Sequence, residues 1–372
     1  MRVFVSAWLG SENVGDELLF SVLRRRLEQL GADVVAASKN PAATERQHGV
    51  RAVHHYDGWA IGRALFGADA LVFGGGGLIQ DATSAFSLPY HLTRPLMAKA
   101  ERVPFIGMGL GVGPLRLRFS RLLLRRVLAG HQGITVRDEH SANLLRACGV
   151  TDVHVTADMV FSLDPPSEPA RDQIALALRS YTDGLVPERF RLNPIDEPME
   201  QTLARALDEV SQRTKLHLRF LAFEGKRDEA FNRRVAKRMS SKDHSFATID
   251  AESVMREMRQ ARLAIAMRYH GGVTAVVAER PVVLIGYAPK VTALAAALGD
   301  ECRYIAHDAL AIRALPQRVD ELLASSSPSL SAARQRLRLL ERGNLDLLQA
   351  FLNRLPGATR NEDLGQETSS PA

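Results

Sequence analysis

The chain has 372 residues, 46% hydrophobic and only 6% aromatic, with 48 Lys and Arg against 42 Asp and Glu for a net charge of +6. That length holds roughly two domains with full cores, and basic clusters without interleaved aromatics or a recognisable module set a nucleic-acid partner aside. Two cysteines, Cys148 and Cys302, lie at no metal-ligand or redox spacing, so free thiols in a reducing cytoplasm and no metal site are expected.

Short β-branched runs alternate with helical patterns along the chain, which predicts an α/β protein with parallel, helix-covered sheets. In the first half the strands are Arg2 to Trp8, Asp33 to Ser38, Ala70 to Phe73, Pro104 to Met108, Gly133 to Val136 and Val153 to Thr156. The clearest helices are Asp16 to Leu30, apolar on one face, and Asp138 to Cys148, which stops at Gly149 in C-cap position. The amino terminus shows no secretion pattern, and the longest uncharged run, Val103 to Leu115, is far short of the ~20 residues a membrane span needs. Arg24, Arg25, Arg26, Arg116, Arg118, Arg121, Arg125 and Arg126 sit in leucine-rich amphipathic patterns. These read first as solvated helix faces, and otherwise as an attraction toward phosphorylated substrates or a membrane surface carrying lipid-linked acceptors.

The proline-dense stretch 164–169 reads as a linker. It divides a Rossmann-like domain over residues 1–163 from a second over 170–327, with strands at Leu216 to Phe223, Phe246 to Ile249, Leu263 to Met267, Val282 to Ile285 and Arg303 to Ile305. Helices Asp228 to Met239 and Glu252 to Gln260 separate these strands. A leucine-spaced helix over 328–355 is placed to pack back across both domains, and residues 356–372 are too polar to order. Tyr181 to Glu200 has little periodicity and reads equally as an acceptor lid or as disorder.

Open α/β sheets bind ligands at the carboxyl ends of their strands. Arg268, Tyr269 and His270 emerge from one such end, Gly271 and Gly272 open a helix there, and Lys290 follows the next strand through Ala288-Pro289. In the first domain, Gly10-x-x-Asn13-x-Gly15-Asp16-Glu17 opens the first helix, where free amides receive anions or sugar hydroxyls. Its carboxylates favour the helix dipole whatever else they do. The run Gly74-Gly75-Gly76-Gly77-Leu78-Ile79-Gln80-Asp81 allows close approach of a ligand or of the other domain. Arg137 and Asp138 end a further strand. Arg137 suits an anion, Asp138 suits a helix cap, and Asp158 holds an equivalent but less distinctive position.

Taken in order, these elements resemble the polysaccharide pyruvyl transferase family. They are the Gly10 to Glu17 segment, the glycine run closing with Leu78-Ile79-Gln80-Asp81, Val136-Arg137-Asp138-Glu139, and Arg268-Tyr269-His270-Gly271 through Gly286-Tyr287-x-Pro289-Lys290-Val291. The departure is Gly271-Gly272, where the family pattern has an aliphatic residue. The resemblance implies two Rossmann-like doubly wound domains in a GT-B-like arrangement with the active site in the interdomain cleft. It implies phosphoenolpyruvate as donor substrate, no cofactor, and a pyruvate ketal formed on a sugar of a cell-surface glycan or its lipid-linked precursor. Localisation is then cytoplasmic, with peripheral contact at the inner face of the membrane.

On that reading Arg137 and Lys290, aided by Arg268, hold the donor's phosphate and carboxylate, and His270 transfers protons. Asn13, Gly15, Asp16, Glu17, Gly75, Gly76, Gly77, Asp81 and Gly271 form cleft loops for donor or acceptor, with Asp138 and Asp158 behind them. The competing reading is a GT-B glycosyltransferase using a nucleotide sugar. Against it stands the lack of a late carboxylate followed by a glycine-rich helix start in the second domain. A catalytically inert glycan-binding protein comes third, having no need of an imidazole, a guanidinium and an amine on facing rims.

Overall fold

The computed structural model describes residues 1–81, 86–179, 199–324 and 330–356. The first sheet and its helices comprise β1 (Arg2–Leu9), α1 (Val14–Gln29), β2 (Asp33–Ser38), α2 (Pro41–His48), β3 (Arg51–His54), α3 (Gly58–Phe66), β4 (Ala70–Ile79), α4 (Ser87–Ala100), β5 (Phe105–Val112), α5 (Arg118–Leu128), β6 (Ile134–Val136), α6 (Glu139–Ala147) and β7 (Val153–Val155). The second comprises β8 (Gln173–Ala177), α7 (Met199–Thr214), β9 (His217–Leu221), α8 (Gly225–Arg238), β10 (His244–Ala247), α9 (Val254–Gln260), β11 (Leu263–Ala266), α10 (Tyr269–Val277), β12 (Val282–Gly286), α11 (Pro289–Leu298) and β13 (Arg303–Ala306). Then come α12 (Ala309–Ile312), α13 (Leu315–Ala324) and α14 (Leu330–Leu352).

Both sheets are parallel and share one winding. The order is β3-β2-β1-β4-β5-β6-β7 in the seven-stranded sheet and β10-β9-β8-β11-β12-β13 in the six-stranded one. The winding reverses between β1 and β4 in the first and between β8 and β11 in the second, the crevices where such sheets take ligands. Buried apolar residues of α1, α10 and α14 join the inner faces of both sheets in one cluster, while separate clusters fill the outer layer of each.

Several elements differ from the sequence expectation. The edge strand β3 and the strand β8 were not foreseen, and the glycine run is no loop. Gly74 to Gly77 continue β4, with Gly74 and Gly76 paired to Met108 and Leu110 of β5. A Cβ at Gly74 would lie 2.2 Å from the Met108 carbonyl oxygen, and its φ of +150° suits glycine alone. Glycine there serves close strand packing. α1 starts at Val14 with Asn13 as N-cap, its side chain accepting from Gly15 N, and α6 starts at Glu139 with Asp138 as N-cap, accepting from Ser141 N.

Two devices among the described residues help hold the domains together. The β1–α1 loop bonds to the β9–α8 loop, Val14 N donating to Phe223 O at 2.9 Å beside an Asn13–Glu224 bridge. α14 runs unbroken through Gly343 and packs against β5, β6 and α10. Its buried Glu341 takes both Arg26 nitrogens of α1 at 2.5 and 2.7 Å, and Asn344 bonds Thr135, Thr156 and the Ala157 carbonyl. Of the Tyr181 to Glu200 stretch, only Met199 and Glu200 are described, opening α7; the rest, the break at 325–329 and the tail from 357 lie outside the described residues. No helix among the described residues is long and apolar enough to cross a membrane.

Candidate active site between the switch points

The candidate side chains come from the carboxyl ends of strands in both sheets. Asp16 stands in the first turn of α1 after β1, Arg137 follows β6, and Asp158 follows β7 just before a short 3-10 turn whose Val160 N it caps. Across the cleft, Arg179 follows β8, Tyr269 and His270 open α10 after β11, and Tyr287 and Lys290 flank the Pro289 start of α11 after β12. Parallel strands deliver such side chains to one rim because every strand points the same way, and the two rims face each other here.

Close backbone approach brings the groups together. A Cβ at Gly15 would fall 1.9 Å from His270 Nδ1, so the imidazole lies against bare α1 backbone, and one at Gly111 would fall 2.4 Å from Arg137 Nη2. The Arg137 guanidinium stacks over the Tyr269 ring at 4.1 Å, and the Lys290 amine lies 6.0 Å from that ring and 5.7 Å from the Tyr287 ring. Arg179 covers the other ring, Tyr287, at 4.2 Å. Arg137, Tyr269 and Lys290 line a pocket of about 320 Å³ roofed by Leu337 and Leu340 of α14. A separate pocket of about 410 Å³, lined by Glu12, Val14, Asn232, Phe246 and Asp250, contains none of these groups.

Asp158 anchors the cluster. Its Oδ2 is 3.6 Å from His270 Nε2 and 3.7 Å from Arg137 Nη1, and Arg137 Nε is 3.8 Å from Asp138 Oδ2. All are beyond hydrogen-bond length. Among the described residues, Asp158 Oδ2, His270 Nε2 and Arg137 Nε are each buried without a hydrogen-bond partner, and buried polar atoms rarely stay so unless something else satisfies them.

Burial would raise Asp158, but the His270 imidazole and Arg137 hold its carboxyl below the usual range. Burial works against the Arg137 cation too, yet Tyr269, Asp158, Asp138 and Asp16 keep it firmly charged. Asp16 goes the other way. Burial pushes it up to about 6 despite His270, Lys290 and Arg137. Tyr287 is raised by burial but pulled down to about 8 by Lys290, Arg179 and Arg268. The site thus combines fixed cations, an imidazole backed by a carboxylate, and a carboxyl poised near neutrality, the pattern of an acid–base centre for an anionic ligand.

Of the residues singled out from sequence, Arg137, Asp158, His270, Lys290 and Asp16 converge, with Gly15, Gly76 and Gly77 around them; a Cβ at Gly76 would meet Asp16 Oδ1 at 2.5 Å. Others have structural work. Arg268 donates to Asp228 through Nε at 2.9 Å and through Nη2, which also meets Glu224 at 2.6 Å. Its charge is balanced within its own domain. Glu17 accepts from Gly10 N at 2.8 Å and pairs with His48 at 2.7 Å. Asp81 accepts from Arg116 N and Leu117 N, Asp138 caps α6, and Gly75 packs beneath Leu19 and Met159. Gly271 lets α10 approach Ala177 of β8, where a Cβ would sit 2.4 Å away. Tyr269, Tyr287, Arg179 and Gly111 also belong to this site, though the motifs in the sequence give the two tyrosines no role and do not mark Arg179 or Gly111. Recognising Gln173–Ala177 as a strand would have pointed to Arg179.

Solved structures resemble the whole chain at low identity. A glycosyltransferase from Rickettsia africae is 12% identical with a TM-score of 0.62, over 95% of this chain and 99% of that one. The MnaA protein of S. aureus, solved with UDP, is 12% identical with a TM-score of 0.62, over 98% and 100%. A UDP-GlcNAc 2-epimerase from Neisseria meningitidis, bound to UDP-GlcNAc, is 10% identical with a TM-score of 0.58, over 94% and 100%. Such identities speak for the fold alone, two Rossmann-like domains in the GT-B-like arrangement. No curated protein is a significant match in sequence. The family model for polysaccharide pyruvyl transferase matches residues 13–289, a span that starts at the α1 N-cap, ends at the first residue of α11, and takes in both switch points. The chain therefore belongs to the polysaccharide pyruvyl transferase family.

Proposed function

We propose that the protein moves pyruvate from phosphoenolpyruvate onto two hydroxyls of one sugar, in a cell-surface glycan or its lipid-linked precursor, forming a pyruvate ketal and releasing phosphate. The observation that carries this reading is the convergence of Arg137 and Lys290 with the His270–Asp158 pair, a group in which three buried polar atoms have no hydrogen-bond partner among the described residues. Phosphoenolpyruvate presents a phosphate and a carboxylate on a small planar frame. A guanidinium matches either group in bidentate fashion and an amine holds the other as a point charge.

The balance of the reaction assigns the remaining groups. The donor's methylene carbon gains a proton from His270, whose Nε2 lies 3.6 Å from Asp158 Oδ2, leaving an oxocarbenium-like centre. A sugar hydroxyl adds there and gives its proton to Asp16, which is ionised above about pH 6. Phosphate then leaves with a proton, and the second hydroxyl closes the ketal as its own proton is taken up. Each hydroxyl has lost one proton; one rests on carbon and one on phosphate.

The alternative, a glycosyltransferase using a nucleotide sugar, draws on neighbours solved with UDP or a UDP-sugar. It would place a diphosphate on Lys290 and Arg268, but Arg268 is already balanced by Asp228 and Glu224. The test is ligand-induced stability with phosphoenolpyruvate or UDP at about 100 times its dissociation constant, where a true ligand adds ~2.7 kcal/mol. Stabilisation by phosphoenolpyruvate alone, lost in Arg137→Ala and in Lys290→Ala, is expected. His270→Ala should keep that stabilisation and release no phosphate with acceptor. A response to UDP alone would overturn the proposal in favour of the glycosyltransferase.

A further inference from the structure

On the first sheet, α3, α4 and α5 lie side by side. The Met97 Cε of α4 sits 3.4 Å from where a Cβ at Gly62 of α3 would be, and Lys99 of α4 donates to the Arg126 carbonyl of α5 at 2.9 Å. Each presents large apolar side chains to solvent. Trp59 is 78% exposed and Phe66 80%, Phe86 82%, and Phe119 65% and Leu122 53%. The spacing is regular: Trp59, Arg63 and Phe66 form one outward stripe of α3, and Phe119, Leu122 and Arg126 one of α5. None of the three helices contains an Asp or Glu, the acids nearest their ends being the caps Asp57 and Glu101, whereas Arg63, Lys99, Arg118, Arg121, Arg125 and Arg126 are all exposed. A merely solvated face would carry charges of both signs and few aromatics.

We propose that this face docks the amino-terminal domain on an anionic lipid bilayer. Aromatic and leucine side chains enter the headgroup boundary while arginines interleaved with them meet lipid phosphates, the division of labour of an interfacial amphipathic surface. Charge selects the occupant: a second copy of this chain would bring arginines against arginines. Placement agrees. Trp59, Phe86 and Phe119 stand at or within the first turn of their helices, and in a parallel sheet these turns lie at the carboxyl edge, the edge that carries Arg137 and Asp16. A bilayer on this face lies beside the cleft mouth, so a lipid-linked sugar is presented without leaving the membrane. That consequence rests on the function proposed above; bilayer docking does not.

The experiment is co-sedimentation with phosphatidylglycerol/phosphatidylcholine vesicles and with pure phosphatidylcholine, alongside sedimentation velocity without lipid. Binding should require phosphatidylglycerol and fall with salt. Arg118→Gln with Arg126→Gln should weaken it roughly 25-fold, at roughly fivefold per cation, with phosphate release on a water-soluble acceptor unchanged. In Trp8→Phe protein, Trp59 emission should shift to the blue on vesicle addition, and Phe119→Ser should reduce binding. No dependence on phosphatidylglycerol, or equal binding by the double glutamine variant, would overturn the proposal. So would a lipid-free dimer that Phe119→Ser dissolves.

Discussion

Asp16→Asn is expected to stabilise the protein at neutral pH while disabling it. The carboxyl sits partly exposed on the cleft floor with a pKa of about 6, against 3.8 for a free one. A folded value above the unfolded one means that ionisation opposes folding. Asp16 therefore contributes its full stability below about pH 4 and loses it as the pH rises through 6. Two pH units correspond to roughly 3 kcal/mol. Partial exposure reduces this, and the α1 dipole, which favours a first-turn carboxylate by ~0.3–1 kcal/mol, reduces it further. Asparagine keeps the shape without the charge, so a gain of ~1–2 kcal/mol is expected at pH 7.5 and none at pH 4. With a urea dependence of ~3 kcal/mol per molar, the midpoint should rise by ~0.3–0.7 M. Fluorescence of Trp8, in β1 of the same domain, reports it. Phosphate release should fall at the same time, since the group that takes the hydroxyl proton is gone. An unchanged or lower midpoint at pH 7.5, or an equal gain at pH 4, would refute the reasoning.

Gly15→Ala forces a methyl into the space of His270 Nδ1; turnover should drop by ~100-fold or more through misplacement of the imidazole, while phosphoenolpyruvate still stabilises the protein, and near-normal turnover would show the contact to be inconsequential. Arg26→Ala leaves Glu341 buried and unpaired and should lower stability by ~3–5 kcal/mol in urea, whereas Arg26→Met with Glu341→Leu should recover most of it. The Tyr287 phenol, at about 8, becomes an anion beside Lys290 above that pH and competes with the donor for the amine. Calorimetric affinity for phosphoenolpyruvate should therefore weaken above pH 8 in the native protein and hold to higher pH in Tyr287→Phe, and identical profiles would remove the phenol from the site.

His270, Lys290 and Arg137 were legible because buried parallel strands are short apolar runs, and the first polar residues past such a run must surface at the carboxyl rim. β8 escaped because it follows a proline-dense stretch and opens on Gln173, and Arg179 went with it. β3 escaped because an edge strand beginning at Arg51 shows no continuous apolar run. The glycine run misled for a physical reason: local propensity makes glycine a loop former, whereas pairing with β5, itself punctuated by Gly107, Gly109 and Gly111, makes it the residue two strands need to approach closely. Arg268 shows what no local pattern reveals. It stands beside the imidazole like any anion-binding cation, and only the distant Asp228 and Glu224 show that it is balanced. Asp16 is the converse, a first-turn carboxylate that capping alone would explain until Gly76 and His270 are seen to enclose it. What separates the two is desolvation against compensation. A buried charge with dedicated partners holds the structure together, and one enclosed without them is held ready for a ligand. That criterion singles out the ground between the two switch points as the candidate site, where Asp158, His270 and Arg137 have neighbours at 3.6 to 3.8 Å but no hydrogen bonds to one another.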